Sequence, residues 1–324
     1  MGYLCKKKFS MKLLLAFFRL IRWPNLFFIA LTQLLFYYCI IIPSLPANYF
    51  LQQHALTPSL FYLLMAASLL IAAAGYIIND YFDINIDQVN KPAKMVVQKI
   101  ISRHWAIFFH LVITLAGLAL SGYVGIKTSP VILLANIVCS LLLWAYSTRF
   151  KKKLLSGNII IAGLTAWTVL VLYFATNSML FSTPVISSGL VSGMSRIYKF
   201  AALYAGFAFI ISLIREVVKD MEDMTGDARY QCQTMPIVWG IPSTKVFVGV
   251  WLAVLIGALV ILQLYILQIG WWVSTLYTFV SVIAPLVWIL KRFYQAQTTA
   301  EYHAISNLIK LVMFAGICSI VLIR

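Results

Sequence analysis

The sequence predicts an all-α polytopic membrane protein, with nine transmembrane helices bundled around a cavity that faces the cytoplasm. Three observations predict it. Of 324 residues, 62% are hydrophobic and only 10% charged, too little polar surface to cover a soluble globule of this size. The apolar residues fall in recurrent runs near the roughly 20 residues that cross a hydrocarbon core of about 30 Å. The runs are near-continuous, without the alternation of barrel strands, and a spanning backbone outside a barrel satisfies its hydrogen bonds only as helix.

The nine runs lie at about 24–42, 57–78, 104–124, 130–147, 158–178, 198–214, 244–268, 271–290 and 303–323. No stretch is left over for a soluble domain, so residues 1–324 read as one transmembrane domain that includes a basic N-terminal segment, 1–23. Lys and Arg alternate by side. The N-terminal segment carries Lys6, Lys7, Lys8, Lys12, Arg19 and Arg22, and the first connection none. The second holds Lys91, Lys94, Lys99 and Arg103, and the fourth Arg149 and Lys151 to Lys153. The sixth holds Arg215, Lys219, Arg229 and Lys245, and the eighth Lys291 and Arg292; the others hold only Lys127, Arg196 and Lys199. By the positive-inside rule the N-terminus and the even connections are cytoplasmic and Arg324 is outside. That is a multi-pass protein of the cell inner membrane.

The net charge of +16 is thereby read as topology and lipid contact, not as a nucleic-acid footprint. The five cysteines form no C-x-x-C pair and lie mostly in apolar runs, which excludes a disulfide framework and a zinc site. His54, His104, His110 and His303 have no ligand spacing. Arg19 and Arg22 interrupt the first apolar stretch, so the N-terminus does not read as a cleaved signal. Lys6 spoils a myristoylation motif.

Function is concentrated in the acids. Only nine exist, and all but Glu301 lie in two windows, Asp80 to Asp87 and Glu216 to Asp227. Both windows contain D-x-x-D-x-x-x-D: Asp80, Asp83, Asp87 and Asp220, Asp223, Asp227. Residues at i, i+3 and i+7 share one helix face over about 10 Å. Carboxylates so close repel, and hard divalent cations with oxygen ligands remove the penalty. Each window ends an even-numbered span, and the constant separation, Asp80 to Asp220 and Asp83 to Asp223, reads as an internal repeat of parallel orientation whose ends converge on one cavity. Magnesium binds through few carboxylates plus substrate phosphates, so two facing rows suggest a diphosphate between them. Lys91, Lys94, Arg149, Lys151 to Lys153, Arg215 and Lys219 flank it. Its developing charge as a leaving group would be held by metal and cations while an apolar tail lies among the helices.

These motifs resemble the UbiA-type intramembrane prenyltransferases. The resemblance rests on Asn79-Asp80-x-x-Asp83-x-x-x-Asp87 with Asn90-Lys91-Pro92, on Tyr146-Ser147 with Lys151 and Gly157-Asn158, on Arg215-Glu216-x-x-Lys219-Asp220-x-Glu222-Asp223-x-x-Gly226-Asp227 leading to Thr234-x-Pro236 and Gly240, and on Arg22-Trp23-Pro24-Asn25. It covers nearly the whole chain. It implies that Asn79, Asp80, Asp83, Asp87, Asp220, Asp223 and Asp227 ligate Mg2+ bound to a prenyl diphosphate. It also implies that Tyr146, Lys151 and Lys219 contact the leaving group or the allylic cation, with Arg22, Asn25, Lys94 and Arg215 as further substrate contacts. Within the family the run Arg215 to Gly240 is most similar to the prenylglyceryl-phosphate prenyltransferases. That makes geranylgeranyl diphosphate the expected donor and geranylgeranylglyceryl phosphate the expected acceptor, with aromatic acceptors of quinone biosynthesis as the alternative. Gln98 and Gln231 stand where the family commonly has glycine, which predicts differently shaped loops there.

Two other classes fit less well. An ion-coupled transporter would put acids at the midplane of broken helices with inverted repeats, and a CDP-alcohol phosphotransferase would carry an Asp-Gly motif that neither window has. Lys310, a turn beyond Ser306 and Asn307, lies well inside the ninth run; it snorkels, lines the cavity or pairs with another helix.

Overall fold

The computed structural model describes residues 13–51, 55–90, 92, 95–177 and 188–323; Lys91 and Lys94 lie outside the described residues. Among those described, nine helices are long and apolar enough to cross a membrane, and no β-strand is present. They are α1 (Trp23–Ser44), α2 (Pro58–Phe82), α3 (Arg103–Lys127), α4 (Val131–Thr148), α5 (Ser156–Thr176), α6 (Ser188–Glu222), α7 (Gly240–Gln268), α8 (Trp272–Gln295) and α9 (Thr299–Leu322). The expected all-α membrane bundle is the fold.

Local chemistry sets the helix ends. The Thr57 and Ser102 hydroxyls accept from the first-turn amides of α2 and α3, satisfying donors that have no intrahelical partner. At α9 a full capping box forms, Glu301 N–H donating to the Thr298 hydroxyl and the Glu301 carboxylate accepting from Thr298 N–H. The one acid outside the two windows thus has a structural task. In α1 and α8 a π-helical turn, Tyr37–Ile41 and Phe279–Ile283, comes just before Pro43 and Pro285. A proline has no N–H for the carbonyl four residues back, and its ring crowds that carbonyl, so the ladder widens there.

α2 packs chiefly against α3, and α6 against α5 and α9. One apolar core joins the ends of α1, α2, α5 and α6 remote from the aspartates, around Phe36, Tyr37, Phe61 and Leu172. A second joins the aspartate half of α6 to α7, α8 and α9, around Val217, Leu252, Leu286 and Ile305. Outward faces carry exposed Leu115, Leu134, Ile261, Leu276 and Leu311, an apolar area that lipid covers.

Two expectations need correction. The sixth helix runs from Ser188 to Glu222, past the apolar run 198–214 at both ends; beyond residue 214 Glu216 pairs with Arg215 and Lys219 along the helix. Nor do the aspartate trios share one unbroken helix. α2 stops at Phe82, Asp83 takes φ −85° and ψ −1°, and a short helix Ile84–Asn90 follows. In the second window α6 stops at Glu222, Asp223 takes φ −94° and ψ 5°, and Met224–Arg229 follows. Both breaks put the middle aspartate in the sparsely allowed bridge region. The Asp87 amide still donates to the Asp83 carbonyl and the Asp227 amide to the Asp223 carbonyl, so each trio stays within one bent segment. The same break at the same motif position is what an internal repeat requires.

Candidate active site

α2 and α6 both end at the aspartates, so their last unpaired carbonyls and negative dipole ends add to the carboxylate charge. One residue ties the two ends together. The Asn90 side chain donates to the Asp223 carbonyl at 3.1 Å and accepts from Gly226 N–H at 2.9 Å. A Cβ on Gly226 would run into the Asn90 amide, so only glycine lets the two turns meet there.

Above this junction lies a cavity of about 700 Å3, inside the roughly 300–1,000 Å3 range of small-molecule sites. Its polar end carries all six motif aspartates with Asn79, Arg22, Tyr146, Lys151 and Lys219; its far end is lined by Phe28, Ile71, Leu143, Trp167 and Val169. Of the residues singled out from the sequence, Asn25, Asn79, Asp80, Asp83, Asp87, Tyr146, Lys151, Arg215, Lys219, Asp220, Asp223 and Asp227 all border this one space.

The carboxylates are individually held. Arg22 donates to Asp80 at 2.6 Å and lies over the Tyr76 ring, while Tyr76 meets Asn25. Burial disfavours the Arg22 charge, but the Asp80 carboxylate beside it outweighs that and lifts its pKa further above the usual range. Lys151 is brought in by the turn Phe150–Lys152, which folds onto the start of α5, and its ammonium donates to Asp83. Burial works against this charge too, and again the neighbouring carboxylate, Asp83, wins and raises the pKa above the ordinary lysine value. Both cations therefore stay charged throughout the physiological range. Asn158 donates to Asp220 at 2.8 Å, and Glu216 pairs with Arg215 and Lys219, both at 3.0 Å. His303 and Glu222 meet at 2.9 Å at the rim.

Asn79 bears on the metal question. Its amide nitrogen donates to Asp83 at 2.7 Å, while its buried carbonyl oxygen has no partner. An orphaned oxygen beside carboxylates is a hard donor set, suited to magnesium. Among the described residues no three His, Cys, Asp or Glu side chains converge as a ready metal cage. A magnesium ion here would draw the rest of its shell from phosphate and water, as it commonly does.

Sequence reasoning passed over Tyr76, which has no local signal, and did not foresee that Asn90 and Asn158 brace the acids, although both lie in quoted motifs. Gln98 and Gln231 stand in turns of unusual backbone. Their φ values are +74° and +56°, the left-handed conformation in which glycine is the unstrained residue. Both glutamines adopt a glycine-type backbone, with the strain accepted.

The family model for UbiA prenyltransferases matches residues 40–314, most of the chain. The protein belongs to the UbiA prenyltransferase family. Its UbiA relatives include the digeranylgeranylglyceryl phosphate synthase of Methanothermobacter thermautotrophicus, 31% identical over 74% of this chain and 76% of the relative. That of Methanosphaera stadtmanae is 26% identical over 76% and 81%. Among solved folds, a digeranylgeranylglyceryl phosphate synthase structure aligns over 96% of this chain and 99% of its own, with TM-score 0.57 and 23% identity. A UbiA homologue from Archaeoglobus fulgidus bound to GPP and Mg2+ aligns over 94% and 99%, with TM-score 0.57 and 16% identity. This chain is accordingly an integral membrane prenyltransferase.

Proposed function

We propose that this enzyme transfers a geranylgeranyl group from geranylgeranyl diphosphate to geranylgeranylglyceryl phosphate in ether-lipid synthesis, with Mg2+, and that residues 1–324 work as one domain. The observation that carries the reading is the single cavity that runs from two braced aspartate turns, collared by cations, into an apolar interior. The relatives named digeranylgeranylglyceryl phosphate synthase support the choice of acceptor. The Lys and Arg asymmetry of the connections supports a cytoplasmic mouth, with the N-terminus on that side.

Asn79, Asp80, Asp83 and Asp87 from one turn and Asp220, Asp223 and Asp227 from the other would hold the metal, with Asp80 also anchoring Arg22. Bound Mg2+ would supply Lewis-acid neutralisation of the diphosphate. Arg22, Lys151 and Lys219 add fixed positive charge where the leaving group gains negative charge. The bond between the prenyl C1 and the diphosphate oxygen breaks, and the electron pair leaves with the diphosphate. The acceptor hydroxyl oxygen then bonds to C1 and its proton passes to the departing diphosphate. Tyr146, which lines the same cavity, would present its ring to the allylic carbon as positive charge develops. The apolar walls keep water from that carbon.

The test is a product assay on purified protein in detergent with Mg2+ and radiolabelled geranylgeranyl diphosphate, offering geranylgeranylglyceryl phosphate and dihydroxynaphthoate separately. Transfer to the first, abolished by chelating the metal, is expected. Transfer only to the second would make this an enzyme of quinone synthesis, and transfer to neither at any donor length would overturn the reading.

A further inference from the structure

Lys310 is a cation about 16 Å along α9 from its start, at 1.5 Å per residue, and the structure resolves the three possibilities for it: it lines the cavity. An ionisable residue at such depth is a functional hypothesis by default. The charged groups that act on it include Arg215, Lys219, Arg22 and the acid Glu216. Glu216 is already paired with Arg215 and Lys219, and Arg22 with Asp80. Among the described residues Lys310 makes no hydrogen bond or salt bridge, so no carboxylate neutralises it directly.

Polar groups of the same wall also lack partners. The Nε of Arg215 is buried and makes no hydrogen bond, and Arg215 lines the cavity. Ser306, only 4% exposed, also lines it. Other buried serines in these helices bond back to the carbonyl four residues earlier, Ser121 to Gly117 and Ser147 to Leu143. Ser306 makes no such bond and leaves its hydroxyl to the cavity. Asn307, beside it, completes one face with Lys310.

From this we infer that Lys310, Ser306, Asn307 and Arg215 form a second anion site inside the cavity, which takes the phosphate monoester of the acceptor. The inference rests on the prenyltransferase reading above and deepens it. The site adjoins the diphosphate collar through Lys219, one turn from Arg215, and extends deeper: Arg215 lies eight residues before Asp223, about 12 Å along α6. Glyceryl phosphates carry phosphate and free hydroxyl on adjacent carbons, so an anchored phosphate sets that hydroxyl beside the prenyl C1. Lys310 is a positioning residue in this scheme. An ammonium in a site of low dielectric is left uncompensated until an anion arrives, which favours a charged acceptor over a neutral one.

The test measures KM for donor and acceptor separately in wild type, Lys310→Met and Lys310→Arg, with geranylgeranylglyceryl phosphate and its dephosphorylated form, geranylgeranylglycerol, as acceptors. Lys310→Met should raise KM for the phosphorylated acceptor about tenfold or more. KM for geranylgeranyl diphosphate should stay within about twofold, the preference for phosphate over alcohol should collapse, and Lys310→Arg should restore most of it. Ser306→Ala supplies a milder loss of the same kind should Lys310→Met not fold. An equal rise in donor KM, or an undiminished preference for the phosphorylated acceptor, would overturn the assignment while leaving the prenyltransferase reading intact. Failure of the wild type itself to use the phosphorylated acceptor would remove this assignment together with the choice of acceptor, and leave the chain a prenyltransferase of another acceptor.

Discussion

Gln231 sits with φ +56° in the turn just after the second aspartate window, a conformation that costs a residue with a Cβ roughly 1–2 kcal/mol. Gln231→Gly should therefore raise thermal stability by the equivalent of about 0.5–1 kcal/mol once the greater freedom of the unfolded chain is deducted, with turnover kept. A melting curve in detergent checks this; a fall in stability would mean that the glutamine side chain contributes more than its backbone costs. At this scale the acids were legible from the sequence because they are scarce: nine carboxylates in 324 residues leave little room for accidental clusters. The partners of those acids were harder to see. Asn158 on Asp220 and Arg22 on Asp80 join residues far apart in the chain, and nothing in local spacing encodes that.

Between residues and bundle stand the turns. Gly157, in the first turn of α5, lies so close to the turn Phe150–Lys152 that a Cβ would come 2.8 Å from the Phe150 carbonyl oxygen and 3.1 Å from the Lys151 Cα. Those are backbone atoms, so the turn would have to move and carry Lys151 away from Asp83. Gly157→Ala is expected to cut turnover on the order of a hundredfold, the cost of a displacement near 1 Å. Gly163→Ala, where a Cβ meets nothing within 4 Å, should leave it unchanged. Equal activities in the two variants would show that the turn does not position Lys151. The nine spans were legible as elements because period and length are properties of the sequence itself. The breaks at Asp83 and Asp223 were not, since the i, i+3, i+7 spacing that suggests one helix face also fits a bent segment whose ladder continues across the bend.

At the scale of the molecule, the repeat brings the ends of α2 and α6 to one mouth, and Asn90 pins them there. The parallel offset between the windows made that convergence readable from the sequence. The depth of the cavity and the inward aim of Lys310 depend on packing between helices, which spacing does not carry. The central claim is that the two aspartate turns share one magnesium-bound diphosphate, and calorimetric titration of pyrophosphate into the purified enzyme with and without Mg2+ tests it most directly. Wild type should bind only with the metal, and Asp83→Asn and Asp223→Asn should each weaken binding on the order of a hundredfold. The double variant should be hardly worse than either, because the two turns act as a unit. Two losses that simply add, or metal-dependent binding that survives intact in either single variant, would contradict a shared site.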